Sequence, residues 1–453
     1  MFSFIADTLT ENLSKYLTAV VGLKCSGTIL GSLSFVGRAD KGADENSLRN
    51  FDSYTVSFYD TNLELLESKS VTKGVGVNLD DKKSEYGVYG WYLAKDSIPI
   101  EASFTLEGNI SLYAAPNVIE ITNQSELDDI RNDPLGSYIL ISDIALESGE
   151  DGFDEVQGWL PIGDDMDPFG GIFNGNAHKI SGLWVDKTSG DDYAGLFGRV
   201  EGGRIKNLGV LIDERGVKGE SYVGGIAGDI GSNSVITNAY SIGDVSGTYY
   251  AGGIVGCVGY GSEVTNTYSA GDISGTYNIG GIAGWVMSDS KVTNSYSKAT
   301  VKGDTDVGGI AGSVTFSSMI TNSCSAGDIR GVNNAGGISG SVEYNSWVTN
   351  SAAINQEVVG RYDTNRVVGR LESSTVSNNF ALIDIRVNGF PKTDNDADSF
   401  DGADKTIGEL KMQKTYANAS IDGGLGWDFG NGASSPWKMD EGEGYPYLYW
   451  EDR

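Results

Sequence analysis

The 453-residue chain has one histidine, three cysteines and eight prolines. A lone imidazole, His178, removes the metal and acid–base chemistries that need several. Cys25, Cys257 and Cys324 cannot all pair, and none sits in a CxxC, so a disulfide framework is excluded. No run of 18 apolar residues occurs, so the sequence offers no membrane-spanning helix. Basic residues are scarce: 32 against 62 acidic ones, a net charge of −30. That field repels nucleic acid and anionic membranes, so neither partner nor membrane insertion is expected. The secretory-signal pattern is also missing from the start, where Asp7, Glu11 and Lys15 interrupt the apolar residues. Either a signal has been removed, or the chain leaves its cell by another route, as a virion component does on lysis.

What the chain has is glycine, 64 residues of it, where roughly 7% is usual, and a repeat. Asn238, Asn266, Asn294, Asn322, Asn350 and Asn378 are each 28 residues apart. The pairs Gly224-Gly225, Gly252-Gly253, Gly280-Gly281, Gly308-Gly309 and Gly336-Gly337 keep the same spacing. A fixed period of this length marks a stacked-repeat architecture. Within a unit the pattern has period two: Val264, Asn266 and Tyr268 share one face, and Thr265, Thr267 and Ser269 the other. Each unit therefore reads as three short strands with glycine corners that supply positive φ. The predicted fold is all-β, a parallel β-solenoid of 28-residue coils stacked about 4.8 Å apart. The Ile226, Ile230 and Val245 positions and their 28-residue repeats are the predicted inward columns. The six asparagines are the predicted structural ladder, each bonding its neighbours above and below.

The segments GLFGRVEGGRIKN, YVGGIAG and YAGGIVG resemble GLUG-motif repeats of bacterial surface and adhesin-like proteins. The resemblance covers about residues 190–385 and extends upstream through Trp159–Gly163 and Phe169–Leu183. It implies a β-solenoid displayed outside the cell, and no particular ligand. Some relatives are large secreted peptidases, whose HExxH motif is absent here.

Five regions follow. Residues 1–50 read as an N-terminal helix, with Ile5, Leu9, Leu13, Leu17 and Val20 on one stripe over 1–24, followed by a polar linker. The stripe either packs on the β-grasp-like module that follows or, through residues 1–37, serves self-association or anchoring in a larger assembly. Residues 51–116 form a small β-grasp-like module with strands at Tyr54–Tyr59, Val71–Leu79, Tyr89–Tyr92 and Ile110–Ala114. Their order resembles the Listeria–Bacteroides repeat, whose role is spacing and display. Residues 117–194 are the solenoid's N-terminal cap and lead-in, with a helix start at Asn123 and Leu127 and Ile130 facing inward. Residues 195–385 are the repeat solenoid. Residues 386–453 are an aromatic C-terminal cap expected to plug the last coil.

No catalytic or metal-ligating set emerges. Asp244, Asp272 and Asp328 recur by the repeat itself and read as turn residues rather than a glycosidase pair. Asp394–Asp398 begins like a calcium loop, but Ser399 and Lys405 stand where Gly and Glu are required. Structural calcium is the rival reading there and at Asp164, Asp165 and Asp167. His178 reads as a turn residue. The column Thr265-Thr267-Ser269 and its repeats predicts a flat outward hydroxyl sheet, suited to glycan contact or to ordered water. The corner tyrosines Tyr222, Tyr249, Tyr250 and Tyr277 are the candidate ligand-binding residues, because tyrosine offers a stacking face and a hydroxyl. The expected function is a non-enzymatic extracellular adhesin or receptor-binding fibre component, on a bacterial surface or a virion, with a host glycan or protein receptor as partner. The alternatives are a solenoid polysaccharide depolymerase and a structural spacer or virion decoration protein.

Overall fold

A computed structural model describes residues 16–25, 28–38, 53–59, 65–72, 76–78, 91–92, 103–105 and 110–114, and nearly everything from 118 onward; 190–191, 395, 418–422, 433–434 and 452–453 are outside the described residues. The chain divides into two compact units, Met1–Val118 and Ile119–Arg453.

In the first unit, Tyr16–Cys25 and Thr28–Arg38 form an antiparallel hairpin. The helix expected over 1–24 is thus strand from Tyr16 onward, and residues 1–15 lie outside the described residues. Thr18, Val20 and Val21 carry β-branched side chains that are stiff in a helix and fit a pleated surface. The 3–4 spacing of the apolar residues concealed this preference. A second sheet places Ser53–Tyr59 between antiparallel Leu65–Thr72 and parallel Ile110–Ala114, which pairs with Trp91–Tyr92. The strand expected at Val71–Leu79 is replaced by Leu65–Thr72 and the separate Gly76–Asn78. Pairing with the nearer segment closes a shorter loop at less entropic cost. Val56, Phe58 and Val71 are buried.

The second unit is a parallel β-solenoid. Its first sheet carries Ser137, Ile172, Arg204, Val235 and Glu263 in register, at intervals of 35, 32, 31 and 28 residues. The long early coils enclose a wider core, filled by Trp159, Phe169, Phe173 and Phe197, all fully buried. Phe197 meets Phe169 and Phe173 at ring separations of 5.0 and 5.4 Å. Once the interval settles at 28, Ile and Val suffice: Ile226, Ile254, Ile282, Ile310 and Ile338 form one fully buried column, and Ile230, Val258, Val286, Val314 and Val342 another. The second sheet stacks Val217, Val245, Ile273, Val301 and Ile329. The third is seven-stranded, from Phe197–Glu201 to Val368–Glu372.

Gly243 and Gly271 supply positive φ at 132° and 126°, as expected, but other corners are built by other residues. Asn238, Asn266, Asn294, Asn322, Asn350 and Asn378 all adopt φ between 48° and 53°, in the left-handed region. Asparagine tolerates that region well, and here it turns the chain within the first sheet. The glycine pairs do not show positive φ. They are demanded by crowding: a Cβ on Gly308 would lie 2.0 Å from the Ala311 carbonyl oxygen, and one on Gly309 2.1 Å from that of Gly337.

The asparagine corner also shifts the side-chain phase by one residue. Val264 points in before it; after it, Thr267 and Ser269 point in and Tyr268 points out. The expected outward hydroxyl sheet is therefore overturned, since Thr267, Ser269, Ser295, Ser297, Ser323 and Ser325 are at most 1% exposed. Their hydroxyls instead join successive coils: Ser295 Oγ accepts from the Thr267 amide at 3.2 Å, and Ser323 Oγ from the Ser295 amide at 3.4 Å. A second serine ladder runs through Ser234, Ser262, Ser290, Ser318, Ser346 and Ser374, each amide donating to the next hydroxyl.

Both ends are covered. The helical turn Gln124–Asp128, capped by the Asn123 side chain, buries Leu127, and the turn Asp129–Asn132 that follows buries Ile130. At the other end Phe380–Leu382 pairs with Ala403–Lys405. The fully buried Arg366 guanidinium there meets Asp404 at 2.7 Å and donates to the Gly402 carbonyl. The aromatic tail after Thr406 does not plug the last coil, as expected, but folds back along the first sheet. Its reason is the outward tyrosine column. Tyr240, Tyr268 and Tyr296 stack at 5.0 and 5.1 Å, and Trp450 covers the first two. Trp427 donates to the Asn350 carbonyl at 2.7 Å, and the Tyr296 hydroxyl to Glu451 at 2.6 Å. Where the column narrows to Cys324 and Ala352, bulky Tyr416, Trp427 and Trp437 stand in the tail, stacked on one another.

Candidate functional site

The six ladder asparagines form one column along the first sheet. Asn238 Nδ2 donates to Asn207 Oδ1 at 3.1 Å, and Asn266 Nδ2 to Asn238 Oδ1 at 3.2 Å. Asn322 donates to Asn294 and Asn378 to Asn350. The ladder is interrupted: Asn266 Oδ1 has no partner, and Asn350 donates to Thr321 Oγ1. Along this column the amides are turned to one another.

The four corner tyrosines fall in two adjoining columns. Tyr222 and Tyr250 hold left-handed corners, φ 54° and 53°, and stack at 5.0 Å. Tyr193 extends this column on one side at 5.1 Å and Trp285 on the other at 5.0 Å. Neither was found from the sequence, because Tyr193 lies in the irregular lead-in and Trp285 comes from the neighbouring strand. Tyr249 and Tyr277 form the second column, stacked at 5.2 Å and nearly parallel. Tyr249 also meets Tyr250 at 6.2 Å, joining the two. The inner column is half-buried, and burial pushes the Tyr222 hydroxyl up to about 12. Tyr249 and Tyr277 are 37% and 43% exposed.

Beside them the second sheet carries a groove of about 440 Å³, lined by Lys218, Ser246, Thr248, Ser274, Thr276 and Lys302 over a floor of glycines. An adjoining hollow of about 470 Å³ shares both lysines and both serines and is bounded by Asp244 and Asp272. These are volumes in the range of small-molecule sites, with hydroxyls as the central polar groups. The sequence signal for the groove is the recurrent Ser-Gly-Thr-Tyr beside the tyrosines.

Several of the acidic candidates accept backbone amides within their own turns or from the next coil. Asp244 Oδ1 accepts the Asp272 amide at 3.0 Å. Asp394 and Asp396 accept the amides of Asp396 and Asp398, and Asp398 that of Asn378. Asp164 accepts the amides of Met166 and Asp167. His178 Nδ1 lies 3.1 Å from Asp143. Among the described residues no cluster of His, Cys, Asp or Glu has metal-holding geometry. No helix of the described residues is long and apolar enough to cross a membrane.

At the start of the inner tyrosine column, Arg199 bonds Asp165 and Glu201, lies 3.8 Å from Asp229 and faces the Tyr193 ring. Burial pushes the Asp229 carboxyl up to about 6, against the pull of Arg199. The Cys257 thiol, bonded to Asp229, is raised by burial.

Fold and site together define a parallel β-solenoid with a hydroxyl-lined groove on one flank. Residues 275–302, one coil, match the model of the GLUG motif family. A stretch of 114 residues is 37% identical to a protein named as a Gly-rich membrane protein of Evansella cellulosilytica, covering 24% of this chain and 13% of that one. Another of 165 residues is 30% identical to Halomucin of Haloquadratum walsbyi, covering 35% of this chain and 2% of that one. A solved IgA1 protease chain aligns over 58% of this chain and 21% of its own length, at 18% identity and a TM-score of 0.35. The chain thus matches only small parts of these much longer relatives.

Proposed function

We propose that this chain is a surface-associated repeat protein that holds carbohydrate without cleaving it, as an extracellular adhesin or receptor-binding component. The observation that carries the reading is the pair of exposed, stacked Tyr249 and Tyr277 rings, each next in sequence to a threonine that lines a hydroxyl-rich groove. Sugars present apolar ring faces and a fringe of hydroxyls, which such a surface matches with aromatic area and mutual donors and acceptors. The groove-side carboxylate of Asp244 accepts a backbone amide, which supports a structural role over a catalytic one. The names of the two sequence relatives, a membrane protein and Halomucin, support a place at the cell surface. In this reading the mixed sheet of the first unit serves as a display spacer of the Listeria–Bacteroides type. A glycan array probed with the intact chain tests the proposal. Binding that is lost on replacing Tyr249 and Tyr277 by Ala, with melting unchanged, supports it. A blank array, or binding untouched by the double substitution, refutes it.

A further inference from the structure

Resting on that reading, we infer that the groove takes a linear polymer of identical neutral hexoses, laid parallel to the solenoid axis with one sugar unit per coil. The lining has a period that a ligand must match. Ser-Gly-Thr-Tyr occupies 246–249 and again 274–277, and the two segments are in register. On one side they are bracketed by Lys-Gly-Glu-Ser at 218–221, on the other by Lys-Gly-Asp-Thr at 302–305, also in register. The groove therefore consists of two chemically identical coils between two that each carry a lysine and a carboxylate.

Nothing interrupts the floor along this direction. The floor position is glycine in all four coils, and inward packing keeps it so. A Cβ on Gly247 would lie 2.7 Å from Val223 Cγ2, and one on Gly303 2.8 Å from Ile279 Cγ1. A ligand lying across the coils meets Ser, Thr and Tyr once each; a ligand lying along them meets the same set again after each rise of about 4.8 Å. The step along an extended pyranose chain is similar, so consecutive sugars fall on consecutive coils.

Identity of the two central coils selects identity of the two central sugars. A polymer of alternating units places the wrong unit on one of them. The Ser-Gly-Thr-Tyr segments themselves carry no charge, Asp244 and Asp272 stand two residues before them, and each bracketing coil pairs a lysine with an acid, so no net positive field draws a polyanion. The protein's net charge of −30 opposes one. An extended peptide is also disfavoured. The strands beneath the groove are hydrogen-bonded on both sides within the sheet, which leaves no edge for strand addition.

The test is calorimetric titration of the intact chain with soluble β-1,4-linked oligomers of glucose and of mannose, one to six units long. Hyaluronan and heparin oligosaccharides are the alternating, acidic comparators. The expected result is affinity rising about tenfold per added unit up to four units and by less than about threefold beyond, as linked contacts add until the bracketing coils are reached. T248V and T276V each weaken tetramer binding several-fold, because each removes the hydroxyl that one sugar unit meets. Melting curves of both variants overlay the parent. Tighter binding of an alternating acidic oligomer than of either neutral series, affinity independent of length, or one threonine variant inert while the other abolishes binding overturns the inference and leaves the glycan reading standing. Absence of binding by every saccharide overturns both.

Discussion

Asn238 separates the two contributions an asparagine ladder makes. Its amide donates to Asn207 and its carbonyl accepts from Asn266, while its backbone holds φ 51°. Replacement by alanine removes both ladder hydrogen bonds, at about 1 kcal/mol each, and a long contact of 3.5 Å to the Tyr449 hydroxyl that adds little. It also places an ordinary side chain in the left-handed region, at about 1–2 kcal/mol. The expected loss is about 3–4 kcal/mol. Replacement by glycine removes the same bonds and relieves the backbone, but adds about 0.4–1 kcal/mol of unfolded-state entropy, giving about 2.5–3 kcal/mol. Stability should therefore fall in the order Asn, Gly, Ala. Asn294 is the internal control. It accepts from Asn322, but the Asn266 carbonyl that it would serve has no partner. The same alanine substitution there should cost about 1 kcal/mol less, one hydrogen bond fewer. Urea unfolding of the parent and the three variants, followed by tryptophan fluorescence and circular dichroism with coincident transitions required, reads these differences. Glycine as damaging as alanine at position 238 refutes the backbone argument. Equal losses for Asn238→Ala and Asn294→Ala refute the hydrogen-bond argument.

Asp229→Asn should stabilise the protein at pH 7 by about 1–3 kcal/mol. With its folded pKa raised to about 6, the carboxyl binds its proton more tightly folded than unfolded. Its burden is absent below about pH 4, grows as pH rises to 6 and is constant above. Parent and variant showing the same change in unfolding free energy between pH 4 and pH 8 would sink this. Cys324 is buried, and burial pushes its thiol up to about 12, so thiol reagents should label it only as fast as the chain unfolds; rapid labelling of the native protein contradicts the burial. Deleting residues 407–453 should leave the strand signal intact, because Phe380–Leu382 is already paired with Ala403–Lys405. It should raise binding of a hydrophobic dye, because Tyr240, Tyr268 and Tyr296 lose their cover; loss of the strand signal would show the tail to be part of the solenoid core.

The repeat period was enough to find the coils, because parallel stacking places chemically equal positions above one another and so writes the inward columns as a 28-residue repetition of Ile and Val. It was not enough to orient the first sheet. Strict alternation through Val264–Ser269 assumes one continuous extended strand, and Asn266 breaks that assumption with a single left-handed residue. The signal was present in the residue type, since asparagine is the side chain that visits this region most readily after glycine. Read as a hydrogen-bonding ladder only, it gave the wrong side for every residue that follows it. The error then propagated: tyrosines taken as core left the aromatic tail with nothing to cover, so the end of the solenoid was the remaining place for it. The N-terminal hairpin was missed for a different reason. Its apolar residues satisfy both a helical and an alternating pattern, and with few polar residues between them only the β-branched side chains distinguish the two.

The groove was half legible. Tyr249 and Tyr277 stood out as aromatics at a corner, and sequence alone grouped them with Tyr222 and Tyr250. The structure separates the four by the same device that shifted the first sheet. Tyr222 and Tyr250 are themselves left-handed corner residues, so their rings stack against the third sheet beside Trp285. The residue before each corner is still on the second sheet, and there Tyr249 is exposed. One residue of offset thus divides a structural column from an exposed one, and the same offset explains where the site ends. In the following coils the corner becomes Asp306 and Asn334, joined by a hydrogen bond of 2.7 Å, and the outward position becomes Thr305 and Asn333, also bonded to each other. Those coils satisfy their own polar groups, whereas Tyr249 and Tyr277 leave aromatic surface in water. A solenoid whose coils share one backbone path can therefore confine a binding surface to a few of them, by changing which residues face their neighbours above and below.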